Sequence, residues 1–298
     1  MASTEDSCVV VCDVGGSHIS AAVCFGADYR LGPVVRAGLP ARQNSDAFVD
    51  VLYALGTKAA NGEKSVLGAG LAMPGPFDYQ EGVSRMRHKL PYLYGVNLGS
   101  ALAERFGWKP DRVRFLNDAA AYLLGEVGAG AARDVPRAVG ITLGTGVGSA
   151  FAVNGRIVTE GIGVPPGGEI WNVPYEGGIV EDLISTRAIQ RGYRERTGKD
   201  REVAAIAAGT TEGDAAAVEV FEEFGRNLGR ALKTLTSAFA PEVIVLGGGI
   251  SLSAHLFLPS AQRALEAQHV ELRVSSLMDV AALVGAGVAW FTKSAGPG

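Results

Sequence analysis

The stretch Arg137-Ala-Val-Gly-Ile-Thr-Leu-Gly-Thr-Gly-Val-Gly-Ser-Ala-Phe-Ala-Val153 repeats the plan of residues 8–25, and this repetition decides the predicted fold. Each stretch is an apolar strand, a glycine-rich turn and a second apolar strand. When Gly16 is aligned with Gly146, both second strands carry Ala-Val at the same place. A unit that occurs twice indicates a duplicated core. Because strands alternate with helical patterns along the rest of the chain, the predicted fold class is α/β.

The composition is that of a globular, acidic chain. Of its 298 residues, 47% are hydrophobic and 19% are charged, which suits one large domain or two ordinary ones. The net charge of −4 and the pI of about 5.7 argue against a nucleic-acid partner. No stretch reaches the roughly 20 consecutive apolar residues of a membrane span, and the polar start of the chain lacks a secretory signal. We therefore expect a cytoplasmic protein without a membrane partner, whose three cysteines are reduced.

Three glycine-rich turns each follow an apolar strand: Gly15-Gly16-Ser17, Gly144-Thr145-Gly146 and Gly247-Gly248-Gly249. Glycine pairs at such turns are expected to supply positive φ angles and exposed main-chain N–H groups, which can close a hairpin or bind phosphate. Asp13 ends the first strand, and a buried acid there suits a magnesium ion. The spacings of a P-loop and of a Rossmann fingerprint are absent. Three turns together with an acid favour a nucleotide site over plain hairpins.

Asn117 and Asp118 stand where a predicted strand, 113–116, meets a predicted helix, 119–127. Ligands of open α/β sheets bind at the carboxyl ends of strands. A carboxylate in that place can take a proton from a bound hydroxyl. An Asn-Asp pair before a helix is also a common helix cap, so both interpretations stay open from these residues alone.

Further strands and helices are predicted from the hydrophobic spacing. Strands are expected over 66–73 and 243–247, and 77–97 is expected to be a turn-rich loop that covers a site. The other expected helices cover residues 44–60, 98–106, 182–197, 214–239, 256–267 and 280–293.

In this order the motifs resemble those of the ROK family of sugar kinases over nearly the whole chain. That family shares its fold with hexokinase, actin and the heat-shock ATPases. The resemblance is carried by Asp13-Val-Gly-Gly-Ser17, Gly70-Leu-Ala-Met-Pro-Gly-Pro76, Asn117-Asp118-Ala119, Leu143-Gly-Thr-Gly-Val-Gly148, Gly168-Glu169-Ile170, Glu181 and Val245-Leu-Gly-Gly-Gly249. Each motif is weak alone, but their order is specific.

The resemblance implies a two-lobed actin-like ATPase fold of the ribonuclease H-like class, with a duplicated core and a nucleotide and sugar cleft between the lobes. It implies a smaller N-terminal lobe over residues 1–117, on which the C-terminal helix 280–298 packs. The larger C-terminal lobe would cover residues 118–279. A homodimer is also implied.

The implied reaction transfers the γ-phosphoryl group of ATP to a hexose, with O6 of glucose as the first choice of acceptor. Asp118 would be the general base, and Asp13 would hold Mg²⁺ through water. The implied sugar-binding residues are Gly75, Asn117, Asp118, Glu169, Asn172 and Glu181. The implied nucleotide-binding residues are Asp13, Gly15, Gly16, Ser17, Gly144, Thr145, Gly146, Gly248 and Gly249.

Two departures from the family's pattern concern zinc. Many members carry a histidine shortly after the first glutamate and a cysteine cluster before the second. Here Asn172 stands at the histidine position, and Tyr175-Glu-Gly-Gly-Ile-Val180 replaces the cluster. We therefore expect no structural zinc.

Other hypotheses stay open within and beyond the kinases. The sugar could be fructose, mannose or an N-acetylhexosamine, and the donor could be polyphosphate. A non-catalytic, sugar-responsive regulator is opposed by the presence of Asp118 and both phosphate turns. An ATPase with a protein partner is opposed by the Asn117-Asp118 pair with the two glutamates. Without the resemblance, Glu169 would be interpreted as a surface acid and Glu181 as a charge at a helix N-terminus.

Overall fold

The computed structural model describes residues 7–63, 65–266 and 269–292. Within these limits the chain forms two compact units. The first comprises residues 7–133 and 279–292, and the second comprises residues 134–278. Each has a hydrophobic core of its own. Ala267 and residues 293–298, which include the expected ends of the last two helices, lie outside the described residues.

A mixed sheet forms the centre of the first unit. Its strands are parallel where β1, β4 and β7 pair and antiparallel where β1, β2 and β3 pair, in the order β3-β2-β1-β4-β7. The strands of this unit are β1 (Cys8–Val14), β2 (His18–Phe25), β3 (Val35–Gly38), β4 (Val66–Met73), β5 (Phe77–Asp78), β6 (Val83–Ser84) and β7 (Val113–Asn117). The predicted hairpin of residues 8–25 is confirmed, because β1 pairs with β2 along its whole length.

Three helices of the first unit begin after asparagine caps. The side-chain oxygen of Asn44 accepts a hydrogen bond from the N–H of Ala47 at 2.8 Å, and Asn97 caps the next helix through Ser100 in the same way. The helices of this unit are α1 (Ser45–Ala60), α2 (Leu98–Phe106), α3 (Asp118–Ala129) and α9 (Ala281–Thr292). The predicted helices of this unit are confirmed close to these bounds.

Glycines bring α3 and α9 into close contact. A Cβ atom on Gly285 of α9 would overlap the carbonyl oxygen of Ala121 in α3. A Cβ on Gly125 of α3 would overlap the carbonyl oxygen of Ala281 in α9. The two helix backbones therefore touch at positions where any larger residue would separate them.

The second unit repeats this sheet. Its strands follow the order β10-β9-β8-β13-β14, again with three antiparallel neighbours followed by parallel ones. They are β8 (Arg137–Leu143), β9 (Val147–Val153), β10 (Arg156–Val158), β13 (Val243–Gly247) and β14 (Glu271–Val274), with β11 (Pro174–Tyr175) and β12 (Gly178–Ile179) as a separate hairpin. The same order and the same directions in both units confirm the predicted duplicated core.

The helices of the second unit differ from the prediction in two places. They are α4 (Val180–Leu183), α5 (Thr186–Thr197), α6 (Val203–Thr211), α7 (Ala215–Thr236) and α8 (Ala254–Leu265). The prediction of one helix over 182–197 is wrong, because Ser185 is extended and the N–H of Thr186 donates to the carbonyl of Gly144 at 2.8 Å. The sequence pattern does not indicate helix α6, since its run of Ala, Gly and Thr has little alternation between apolar and polar residues.

The division between the units falls after residue 133, whereas the expected boundary lay after residue 117. The difference is helix α3, which packs on α9 and so belongs to the first unit. Among the described helices we find no candidate for a membrane-spanning segment.

The contact between α3 and α9 generates a stability prediction. Gly285→Ala should lower the free energy of unfolding by roughly 1–3 kcal/mol or more, because the added methyl group overlaps the backbone of α3. The thermal unfolding midpoint, followed by circular dichroism, measures the effect.

Gly192→Ala in α5 is the matched control. There the nearest atom to the added Cβ lies 3.4 Å away, which is ordinary contact, and alanine is the better helix former. This control should leave stability unchanged or raise it slightly. An equal effect of both substitutions would contradict the close packing of α3 on α9.

Candidate active site

Parallel strands bring several predicted site residues of the first unit to one edge of its sheet. Asp13 of β1 pairs with Ala72 of β4, and Met73 of β4 pairs with Asn117 of β7. Because these strands run in the same direction, their carboxyl ends meet at one edge. Asp13, the turn that contains Gly75, and Asn117 with Asp118 therefore belong to one group.

The amide of Asn117 has partners on both of its ends. Its oxygen accepts hydrogen bonds from the N–H groups of Ala119 at 2.9 Å and of Ala120 at 3.1 Å, which makes it the cap of α3. Its nitrogen donates to the hydroxyl of Tyr79 at 3.2 Å, and that hydroxyl donates to the carbonyl of Met73 at 3.2 Å. The predicted cap is confirmed, and Tyr79 is a contributor that sequence reasoning missed within the turn-rich stretch 77–97.

Asp118 is the first residue of α3, and its carboxylate accepts a hydrogen bond from the N–H of Ala119 at 2.9 Å. The helix start therefore orients this carboxylate. Gly75 lies near the same group, since a Cβ on it would be 3.4 Å from the hydroxyl of Tyr79.

The environment of Asp13 shifts the pKa of its carboxyl group. Burial and, to a smaller extent, the negative charge of Asp118 together raise the pKa of Asp13 from its ordinary value of 3.8 to about 6. Two carboxylates this close to each other create a region of negative potential. Such a region favours a cation or a proton donor.

The carboxylates of Asp13 and Asp118 suit one kind of magnesium site. Among the described residues, no group of three or more His, Cys, Asp or Glu side chains is placed to hold a metal ion. Magnesium is usually held by one or two carboxylates, with water and substrate phosphates completing its six ligands. Asp13 and Asp118 fit a magnesium ion that is bound together with a nucleotide, rather than a dedicated protein cage.

The first glycine turn differs from the prediction in its backbone angles. Neither Gly15 nor Gly16 has a positive φ, so the expectation that they supply one is wrong. The N–H of Gly15 closes the turn on the carbonyl of His18 at 2.9 Å. A Cβ on Gly16 would meet no atom within 4 Å, and the hydroxyl of Ser17 is hydrogen-bonded to the ring of His18 at 3.2 Å. Glycine at position 16 leaves open space above an exposed backbone, which suits a phosphate.

In the second unit, Glu181 lies beside the glycine turn between β8 and β9. One carboxylate oxygen accepts a hydrogen bond from the N–H of Val147 at 3.1 Å. The same oxygen would be 2.9 Å from a Cβ on Gly146. The other oxygen accepts from the guanidinium of Arg187 at 2.7 Å. Glu181, a predicted sugar-binding residue, thus contacts the turn that is predicted to bind phosphate. The contacts of Glu181 with Val147 and Arg187 are not indicated by the sequence.

The turn itself is shaped by its neighbours. The N–H of Gly144 donates to the carbonyl of Gly146 at 3.0 Å, and the carbonyl of Gly144 accepts from Thr186. Thr145 lies between the two glycines.

The third glycine turn follows β13. Gly248 in this turn has a φ of 80°, and a Cβ on it would overlap the backbone of Leu143 at the end of β8. Gly249 has open space around it.

Glu169 is placed by a buried serine. The hydroxyl of Ser149 in β9 donates to the carbonyl of Gly168 at 2.6 Å and accepts from the N–H of Ile170 at 2.9 Å. These two bonds hold the backbone on either side of Glu169, while Ile170 is buried in the core. The carboxylate of Glu169 is exposed and accepts from the indole N–H of Trp171 at 3.0 Å.

The two predicted sugar-binding glutamates belong to one connected segment. The carbonyl of Trp171 accepts a hydrogen bond from the N–H of Glu181 at 3.0 Å, and that of Val173 accepts from Val180 at 3.1 Å. Asn172 is exposed on the turn between them. Sequence reasoning placed Glu169 and Glu181 together through the resemblance, but no local pattern indicated these cross-links.

Comparison with known proteins assigns the chain to a family. The model of the ROK family matches residues 9–293. A glucokinase of Thermotoga maritima is 29% identical over 304 aligned residues, which cover 92% of this chain and 94% of that protein. An N-acetyl-D-glucosamine kinase of Vibrio parahaemolyticus is 29% identical over 263 residues, which cover 80% and 83%.

A solved structure agrees with the fold. The crystal structure of a ROK hexokinase from Thermus thermophilus has a TM-score of 0.80 and 27% identity, and covers 97% of this chain and 100% of that chain. The predicted actin-like α/β fold is thereby confirmed. From the family model, which spans nearly the whole sequence, we conclude that this chain belongs to the ROK family.

Proposed function

We propose that this protein is an ATP-dependent hexose kinase whose preferred acceptor is O6 of glucose. The observation that carries the proposal is the carboxylate pair of Asp13 and Asp118 at the carboxyl ends of parallel strands. Phosphoryl transfer needs a base at the attacking hydroxyl and positive charge at the phosphates. The pair offers both an acceptor for a proton and an anionic site for a cation.

Asp118 would accept the proton of the sugar hydroxyl as its oxygen attacks the γ-phosphorus. Its position at the start of α3 supports this role, because the cap of Asn117 and the packed helix restrict its movement. The amide nitrogen of Asn117 carries a second N–H, which would donate to a neighbouring hydroxyl. Gly75 would leave room for the sugar beside Tyr79.

Glu169 and Glu181 would accept hydrogen bonds from the other hydroxyls of the hexose. Each oxygen of a carboxylate can accept more than one hydrogen bond, so the contacts of Glu181 with Val147 and Arg187 still allow a substrate hydroxyl. Asn172, exposed on the adjoining turn, would add a further contact. Paired carboxylates suit a ligand that presents many O–H donors.

The phosphates of ATP would be bound by main-chain N–H groups of the glycine turns. The residues proposed for this role are Gly15, Gly16, Ser17, Gly144, Thr145 and Gly146, with Gly248 and Gly249 next to the adenosine. Open space at Gly16 supports the proposal. Magnesium bound with the nucleotide would neutralise phosphate charge, and Asp13 would hold it through water.

A second acceptor is favoured by one specific comparison. The N-acetyl-D-glucosamine kinase of Vibrio parahaemolyticus is as similar in identity as the glucokinase of Thermotoga maritima. N-acetylglucosamine is therefore the alternative substrate. The homodimer, the cytoplasmic location and the absence of structural zinc stay predictions.

Substrate specificity gives the first test of the proposal. With ATP, we expect kcat/KM for glucose to exceed that for N-acetylglucosamine, mannose and fructose by about tenfold or more. A coupled assay of ADP release measures each value, and polyphosphate replaces ATP in a parallel series. A higher value for N-acetylglucosamine would make the alternative correct, and no activity with any hexose would refute the kinase.

Asp118→Asn tests the general base. We expect kcat to fall by about 10²–10⁴-fold, because the amide cannot accept the proton, whereas the cap of α3 stays intact. The KM for sugar should change only a few-fold.

Asp111→Asn, an exposed acid on the turn before β7, is the control for the lost charge. It should keep full activity. Circular dichroism spectra of both variants should match the wild type. If Asp118→Asn retained activity within a few-fold of wild type, Asp118 could not be the base.

Asp13→Asn tests the raised pKa. The folded protein binds the Asp13 proton more tightly than the unfolded chain, so ionisation costs stability as the pH rises from about 4 to about 6. The variant should therefore be more stable than wild type by roughly 1–3 kcal/mol above pH 6.5, and the difference should shrink towards pH 4. Urea unfolding at several pH values, without magnesium or nucleotide, measures it.

The same control, Asp111→Asn, corrects for the change in net charge. Kinase activity of Asp13→Asn should fall in parallel with its gain in stability. A stability difference that does not depend on pH would contradict the raised pKa of Asp13.

A further inference from the structure

Trp171 contacts both glutamates that we assign to the sugar. Its indole N–H donates to the carboxylate of Glu169 at 3.0 Å, and its main-chain carbonyl accepts from the N–H of Glu181 at 3.0 Å. One residue thus connects the side chain of the first acid to the backbone of the second. Both bonds form within the second unit.

The indole ring of Trp171 is also partly exposed to solvent. Trp171 retains 38% of its accessible surface, while its neighbour Ile170 is fully buried. The indole N–H can only donate a hydrogen bond, and at an exposed position water can accept it. Here the N–H is directed to a carboxylate, so the edge of the ring is fixed and part of its apolar surface faces solvent.

Fixing one oxygen of Glu169 has a consequence for binding. The hydrogen bond from Trp171 engages Oε2 and restricts the orientation of the carboxylate, while Oε1 can accept a further hydrogen bond. A carboxylate that is already oriented loses less rotational freedom when it accepts a hydroxyl. The exposed indole beside it offers an apolar surface to the C–H groups of the same ligand.

We propose that Trp171 is an affinity-determining residue of the sugar site, which orients Glu169 through its N–H and packs its exposed ring against the C–H face of the bound hexopyranose. This inference rests on the proposed function, because it takes Glu169 and Glu181 to be sugar ligands. The ligand class is a pyranose that combines hydroxyl donors at its edge with an apolar ring face.

Two substitutions separate the roles of Trp171. Trp171→Phe keeps an aromatic ring and removes the N–H, and Trp171→Ala removes both. The KM for sugar should rise about threefold to tenfold in Trp171→Phe and more than about tenfold in Trp171→Ala. The kcat and the KM for ATP should stay within about threefold of wild type, which a general loss of structure would not allow.

Tryptophan fluorescence provides a readout that does not depend on turnover. The protein has three tryptophans, Trp108, Trp171 and Trp290. Titration of the wild type with glucose, without ATP, should change the emission, and Trp171→Phe should abolish this change. Trp108→Phe is the matched control, since Trp108 stacks on Phe106 in the first unit, and it should keep the response.

The outcomes distinguish this inference from the proposed function. If the wild type phosphorylates glucose but both Trp171 variants keep its KM and its fluorescence response, the role of Trp171 is refuted and the kinase stands. If no hexose is phosphorylated but glucose gives a response that requires Trp171, the kinase is refuted and the sugar site at Trp171 stands. An absence of both activity and response would overturn the two together.

Discussion

Asn117 joins the end of a strand to the start of a helix, and the first part of the site depends on this junction. Its side-chain oxygen satisfies the N–H groups of Ala119 and Ala120, which have no partner inside the helix. Its side-chain nitrogen reaches Tyr79. Asp118 is the next residue, so the bonds that cap the helix also determine where the proposed base lies. Close packing of α3 on α9 then holds that helix in place.

In the second unit, the break between helices α4 and α5 positions the glycine turn between β8 and β9 in a comparable way. The chain leaves helical geometry at Ser185, so that the N–H of Thr186 can bond to the carbonyl of Gly144. Glu181 lies just before the break and bonds to Val147 on the other side of the same turn. In a continuous helix over these residues, the hydrogen bond from Thr186 to Gly144 would be lost. The break therefore connects Glu181, a proposed sugar-binding residue, to the turn that is proposed to bind phosphate.

The carboxylates of the first unit show how a site can oppose stability. Burial and the charge of Asp118 both disfavour the ionised form of Asp13. Folding nevertheless places the two acids together, because both follow from the register of parallel strands. A cation bound with a substrate would relieve this repulsion. The negative potential lowers the stability of the folded protein, but it also favours the binding of a cation.

The sequence by itself determined the α/β class, the duplicated hairpins, the cap of α3 and the order of the family's motifs. These features depend on hydrophobic period, on glycine turns and on residues close together in the chain, so they can be recognised locally. Only the tertiary structure decided that Tyr79 orients Asn117, that Trp171 and Arg187 hold the two glutamates, and that the pKa of Asp13 is raised. These effects depend on burial and on contacts made after folding, several of them between different strands, helices and loops. Hydrophobic period and local propensity carry no information about such contacts.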